Sequence, residues 1–317
     1  MHILIIGAAG MLGQKLTRAI LAGALPCDRL TLADVVAPQV VPGATSFAVN
    51  LTDPSAPGQL LQNRPDLIFH LAAIVSGEAE ADMKKGYATN LDASRALFDA
   101  IAAIPDYRPR VVFASSIAVF GAPFPPVIPD DFHITPRTSY GTQKAMTELL
   151  LSDYARRGIL DGIALRLPTI CIRPGKPNKA ASGFYSSILR EPLNGLPATL
   201  PVRDTIRHWF ASPRAATGFF LRAAMLDTAT LGPSRALTMP GLCASVAEMI
   251  EALRRVAGQK AVDLITRTPD PVIQAIVEPW AEAFAASTAR ALGFTAEQSF
   301  DEIIRVYLED DLPTGQS

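Results

Sequence analysis

The sequence predicts an α/β protein, a doubly wound parallel sheet with a smaller substrate-binding cap, on three observations. Continuous apolar runs of strand length alternate with helical periods over the first 172 residues, glycines recur at three-residue spacing where the first run ends, and Pro and Gly crowd the chain from 173 to 201. Apolar strands without polar alternation belong to a sheet covered on both faces. Parallel neighbours need a crossover element between them, and the intervening helical periods supply it.

Taken in order, "HILIIG" is the first strand and 11–22 the first helix. "RLTLAD", "LIFHLAA" and "RVVFASS" read as further buried strands, with a helix over 90–104 before the last of them. A helix over 140–157 follows, then the strand-like "GIALRLPTICI". In "SPRAATGFFLRAAM", Ser212 is placed to cap a return helix and Pro213 suits its first position. "RALTMPG" offers one more strand to the sheet, and Ser245 and Glu248 have the spacing of a capping box. The division expected is a nucleotide domain over 1–172 with a return segment at 206–240, and a cap from 173–205 and 241–317.

Composition narrows the partners. With 29 basic and 30 acidic residues the net charge is -1, without the basic excess that nucleic acid or an anionic membrane attracts. The first apolar run is too short to cross a bilayer and stops at Gly7. A soluble cytoplasmic protein acting on a small molecule is expected, with neither a nucleic-acid nor a membrane partner. Cys27, Cys171 and Cys243 are far apart and lack CxxC spacing, so they are read as buried thiols, and no metal site is expected.

Gly7, Gly10 and Gly13 stand where a strand gives way to a helix. Glycine there permits a tight turn, close approach of backbone to a pyrophosphate and close helix packing, with the phosphates at the positive helix end, as in Rossmann-type domains. Asp34 ends the next strand about twenty residues later, where a carboxylate accepts hydrogen bonds from an adenosine ribose. Val35, Val36 and Ala37 supply no cation for a 2′-phosphate, so NAD is expected rather than NADP. Tyr140 and Lys144 are four apart on a helix and face the same side. A phenol with a pKa of about 10 is a poor base at neutral pH unless a cation stabilises its anion, and Lys144 is placed to do so. Ser115 and Ser116 end a strand upstream.

"GAAGMLG", "HLAA", Asn90, "SSIAVFG", "YGTQK" and "RLPTICIRPG" together resemble, in their order, the motifs of the extended short-chain dehydrogenase/reductase family. The resemblance implies that Ser116 bonds the substrate oxygen, Tyr140 is the acid/base, Lys144 holds the nicotinamide ribose, and Asn90 has a structural or water-relay role. It also implies cofactor contacts at Gly7, Gly10, Met11, Leu12, Gly13, Asp34, Asn50, Leu51, Leu71, Ala72, Ala73, Tyr140, Lys144 and Pro168, and a homodimer paired through the helices near Asn90 and Tyr140. At Asn50, where many relatives carry an acid, the amide oxygen is expected to accept from the adenine amino group. His70 is read as a packed strand residue.

The reaction is left to the cap. The stretches "RHWFASPR" and "SFDEIIRVYL" resemble a branch of the family that oxidises the C2 hydroxyl of a four-carbon sugar acid, with D-erythronate as the expected substrate. Ser76, Ser116, Tyr140, Thr169, Arg173 and Arg207 are the implied substrate contacts, with Arg207 or Arg173 forking the carboxylate. His208 and Arg214 occupy positions where nucleotide-sugar epimerases of the family carry acids, which weakens the epimerase alternative. His208 is read as a surface residue. A non-catalytic NAD-binding regulator is the remaining alternative, opposed by the intact Ser116, Tyr140 and Lys144.

Overall fold

The computed structural model describes residues 1–175, 181–232 and 234–312. Parts of the expected cap, 176–180 and 313–317, lie outside the described residues. The strands are β1 (His2–Ile6), β2 (Arg29–Asp34), β3 (Ala44–Ala48), β4 (Leu67–His70), β5 (Arg110–Ser116), β6 (Asp161–Leu167), β7 (Thr169–Ile170), β8 (Ala198–Leu200), β9 (Arg207–Ala211), β10 (Ala236–Thr238), β11 (Leu242–Ser245) and β12 (Ile265–Arg267). The helices are α1 (Met11–Leu21), α2 (Ala56–Leu61), α3 (Ser76–Ala81), α4 (Met83–Tyr87), α5 (Ala93–Ala102), α6 (Ser139–Arg156), α7 (Gly183–Leu193), α8 (Pro213–Met225), α9 (Val246–Ala257), α10 (Gln259–Val262), α11 (Pro271–Val277), α12 (Ser287–Ala291) and α13 (Phe300–Asp310).

Seven strands form the central sheet in the order β10-β6-β5-β4-β1-β2-β3, and every pairing is parallel. Alternate residues sort cleanly to its two faces. Ile3, Ile5, Leu30, Leu32, Phe69 and Val112 pack under α1 and α8, while Leu4, Ile6, Ala33, Ile68, Val111 and Phe113 pack under α2, α5 and α6. Strand order reverses between β1 and β4, and a ligand crevice is expected at the carboxyl ends of these two strands. The edge strand β3 is absent from the sequence reading for a physical reason: its "ATSFA" has no buried residue and no apolar run.

Local signals land where the sequence put them. Ser212 accepts from the Ala215 amide at 2.9 Å and Pro213 opens α8, Ser245 and Glu248 close a capping box on α9, and β10 joins the sheet beside β6. The helix expected from residue 90 is different, because Ala88–Asp92 forms a π-turn and α5 starts only at Ala93. Among the three cysteines only Cys171 is fully buried, so the expectation of buried thiols is corrected for Cys27 and Cys243.

Above the sheet, β11-β9-β7 form a three-stranded sheet and β8 pairs with β12. The cap core gathers Tyr185, Leu189, Phe210, Met249, Leu253 and Ile304. Ala289 and Phe294, assigned to the cap by sequence position, pack instead with the sheet residues and α8, the Phe294 ring tilted against that of Phe219. The last helix is anchored to the nucleotide half: Lys15 on α1 bonds both Asp311 oxygens at 2.7 and 2.8 Å, and Arg214 on α8 holds Asp310 and Glu309. No helix among the described residues is long and apolar enough to cross a membrane.

Candidate active site

The glycine loop wraps the end of β1. Gly7 has φ +92°, a region glycine enters without penalty, and a Cβ there would lie 2.6 Å from the Ala72 amide nitrogen, so the loops after β1 and β4 touch. A Cβ on Gly13 would lie 2.3 Å from the Gly7 carbonyl oxygen, which is why α1 packs so close to the turn. Gly10 caps α1 without a side-chain bond, leaving the first-turn amides of Met11, Leu12 and Gly13 free for a phosphate. Asp34 accepts from the Ala9 amide at 2.9 Å through Oδ2, so the acid is tied to this loop. Val35 and Val36 are exposed beside it. These groups fit a dinucleotide. Asn50 departs from expectation, since its Oδ1 already accepts from the Thr52 amide and hydroxyl at 3.1 and 2.9 Å. The Leu71 and Ala72 amides are engaged by the Ile6 carbonyl, which fixes the β4 side of the crevice, and Ala73 follows partly exposed.

Across the crevice, Thr138 caps α6 by accepting from Gly141, and this starts the helix so that Tyr140 lies in its first turn. A Cβ on Gly141 would meet the Ala118 carbonyl oxygen at 2.2 Å, so α6 is pressed onto the turn after β5. That contact sets Tyr140 beside Ser116, close enough for the serine hydroxyl to favour the phenolate. Burial nevertheless raises the Tyr140 pKa to about 12, with Ser116 pulling the other way. Lys144 is 1% exposed and donates to the Ala114 carbonyl at 2.8 Å, its ammonium 4.6 Å from the Phe113 ring centre and 5.7 Å from that of Tyr140. Desolvation lowers its pKa to about 7, partly opposed by Glu148. Lys144 thus gives the phenol less help than the helix spacing suggests, because burial weakens its own charge.

The sequence reading missed what stands behind Lys144. Glu148, one turn further along α6, forms a buried pair with Arg166, Nη2 to Oε2 at 2.8 Å, and accepts from Ser115. Ser115 is therefore turned to this pair, and Ser116 is the serine that meets Tyr140. The signal was present as the same i, i+4 spacing repeated past Lys144. Asn90 is fully engaged: its Oδ1 accepts from the Ile74 amide, and its amide donates to the Ile74 carbonyl and Gln143. It braces the chain leading to Ser76, the first residue of α3. His70 donates to or accepts from Ser94 at 2.9 Å and packs edge-on to Phe113, held near pKa 3 by burial.

The cap side holds the largest difference from expectation. His208, read as a surface residue, is 3% exposed: its Nδ1 lies 3.0 Å from the Ala281 carbonyl, its Nε2 lies 2.7 Å from Thr169 Oγ1, and its ring stacks on Tyr185. Burial lowers its pKa to about 4. Pro168, buried, turns the chain from β6 into β7 and so delivers Thr169 past the sheet edge, Leu167 being in register with Ser116. Arg207 pairs with Glu248 at 3.2 Å, and the neighbouring Cys243 and Glu248 raise its pKa. Arg173 donates to Ser182 at 3.0 Å, and no carboxylate among the described residues pairs with it. A cavity of ≈ 300 Å³ lies elsewhere, between α8 and 293–297, and none of these residues lines it.

Residues 3–218 match the NAD dependent epimerase/dehydratase family. The chain is 48% identical to the D-erythronate dehydrogenase of Cupriavidus necator, over 98% of both chains. It is 42% identical to the D-erythronate dehydrogenase of Haemophilus influenzae, over 98% of this chain and 100% of that one. A crystal structure described as the nucleoside-diphosphate-sugar epimerase from Agrobacterium tumefaciens shares 59% identity and a TM-score of 0.95, covering 98% of this chain and 94% of that chain.

Proposed function

The chain belongs to the NAD dependent epimerase/dehydratase family, and from that premise we propose that it is an NAD-dependent dehydrogenase oxidising D-erythronate at C2 to the 2-oxo acid. The observation that carries the reading is the pairing of Ser116 and Tyr140 at the sheet edge, together with two relatives of that name at full length. Bound NAD supplies the hydride acceptor, held by the first-turn amides of α1 with its ribose on Asp34. Asp34 beside Val35 and Val36 favours NAD over NADP, because a carboxylate repels a 2′-phosphate. Ser116 donates to the substrate oxygen and Tyr140 takes the hydroxyl proton as the C2–H electrons leave, so a C–O single bond becomes a carbonyl. Lys144, where charged, steadies the phenolate.

The carboxylate is assigned chiefly to Arg173. A half-buried guanidinium without an acidic partner gains most from an incoming carboxylate, and burial lowers its pKa. Arg207 already has Glu248 and serves at the rim. Ser76 and Thr169 complete the proposed substrate shell. We further propose a cytoplasmic homodimer paired through α5 and α6, whose Met146 and Leu149 are 40% and 62% exposed, a state light scattering reads directly.

The decisive assay offers D-erythronate with NAD or NADP. One NADH per acid oxidised, with NADP markedly poorer, is the expected result. The second reading, a nucleotide-sugar epimerase, rests on the description of the Agrobacterium tumefaciens structure. It predicts sugar-nucleotide interconversion without net NADH and no turnover of the four-carbon acid.

A further inference from the structure

Thr169 and His208 fix the polarity of one hydrogen-bond site. A backbone carbonyl only accepts, so the 3.0 Å contact between His208 Nδ1 and the Ala281 carbonyl places the ring proton on Nδ1. The ring is neutral in its apolar setting, walled by Tyr185, Phe210 and Trp280 at 5.6, 5.4 and 5.1 Å between ring centres, and no carboxylate among the described residues bonds to it. Its Nε2 is then a bare lone pair. Thr169 Oγ1, 2.7 Å away, must donate to it. The hydroxyl proton of Thr169 is thereby committed, and only the lone pairs of its oxygen remain for a ligand. A group placed against Thr169 must be a donor: a hydroxyl fits, and a carboxylate or carbonyl oxygen does not.

The chain path limits how far Thr169 lies from Ser116. Thr169 is partly exposed, whereas His208 is buried behind it. It follows Leu167, the partner of Ser116, by two residues across the Pro168 turn, so it lies at most about 7 Å from Leu167 along the chain. A four-carbon chain bridges that span.

Resting on the reading of the protein as a sugar-acid dehydrogenase, we propose that Thr169, oriented by His208, accepts a hydrogen bond from the substrate's C3 hydroxyl and selects 2,3-dihydroxy acids over 2-hydroxy acids lacking that group. His208 is a positioning residue and Thr169 a specificity-determining one.

The test compares D-erythronate with its 3-deoxy analogue, 2,4-dihydroxybutanoate of the same C2 configuration, in the wild type, Thr169→Val and Thr169→Ser. The wild type prefers D-erythronate by at least about tenfold in kcat/KM, since a site built for a hydroxyl is left unpaired by the analogue. Thr169→Val removes that preference by lowering only the D-erythronate value, the 3-deoxy value staying within about threefold, and Thr169→Ser restores it. Nitrogen NMR of His208 finds Nε2 unprotonated at neutral pH. Equal efficiencies in the wild type, an equal fall for both acids in Thr169→Val, or a protonated Nε2 would each overturn the inference while leaving the dehydrogenase reading intact. Oxidation of neither acid by the wild type would overturn both.

Discussion

Ser116 with Tyr140 and Thr169 with His208 are two hydroxyl-bearing pairs, and they differ in the freedom of the proton. At Ser116 and Tyr140 both partners are hydroxyls, each able to donate or accept, so a proton can pass to or from a ligand. At Thr169 the partner is a neutral imidazole pinned by a carbonyl, so the proton is held. One pair suits chemistry and the other recognition. Damage to the first should therefore appear mainly in kcat, and damage to the second in discrimination between ligands.

Tyr140→Phe is the largest way to break that contrast. It deletes one oxygen and little shape, and general-base catalysis is typically worth about 10²–10⁴ in rate. Turnover of D-erythronate should fall by that factor while NAD titration changes little. Turnover within about threefold of wild type would remove the tyrosine from the chemistry.

The carboxylate end sharpens the contrast next. Arg173→Ala should raise KM for D-erythronate and lower kcat/KM by at least about tenfold, equivalent to about 1.4 kcal/mol, and by more than Arg207→Ala does. Steady-state kinetics on the two variants side by side decide it, and a larger loss in Arg207→Ala reverses the assignment.

The smallest expected effect concerns pH. Glu148 raises the Lys144 pKa against the desolvation that lowers it to about 7. Removing the carboxylate charge lets Lys144 lose its proton at lower pH, so in Glu148→Gln the alkaline limb of kcat/KM should move to lower pH. The single change also leaves Arg166 buried without its partner, which is destabilising. In Glu148→Gln/Arg166→Met both buried charges go, and the limb should return toward wild type. Identical profiles in all three proteins would separate Glu148 from Lys144 function.

The nucleotide half was legible because its signals are local. Gly7, Gly10 and Gly13 mark a turn within seven positions of chain, and Asp34 closes the following strand. The cap half resisted reading for the opposite reason. His208 meets Thr169 across 39 positions and Ala281 across 73, separations over which no periodicity speaks. A histidine between an arginine and a tryptophan looks exposed in sequence, yet strand alternation sends Arg207 and His208 to opposite sides, and only the second enters the cap core. The edge strand β3 failed for want of burial, and the start of α5 shifted because a π-turn interrupts the helical register at Asn90.

Gly141 carries a consequence for which sequences can share this fold and still turn over substrate. Its missing methyl lets α6 rest against the Ala118 carbonyl, where an added carbon would stand 2.2 Å away. The site begins a helix and has an ordinary negative φ, so alanine there satisfies every local rule of helix formation. A lineage drifting to alanine would keep its sheet and its nucleotide loop, and would lose the alignment of Tyr140 with Ser116. Such a descendant would keep its glycine loop and the spacing of Tyr140 and Lys144 while being catalytically mute.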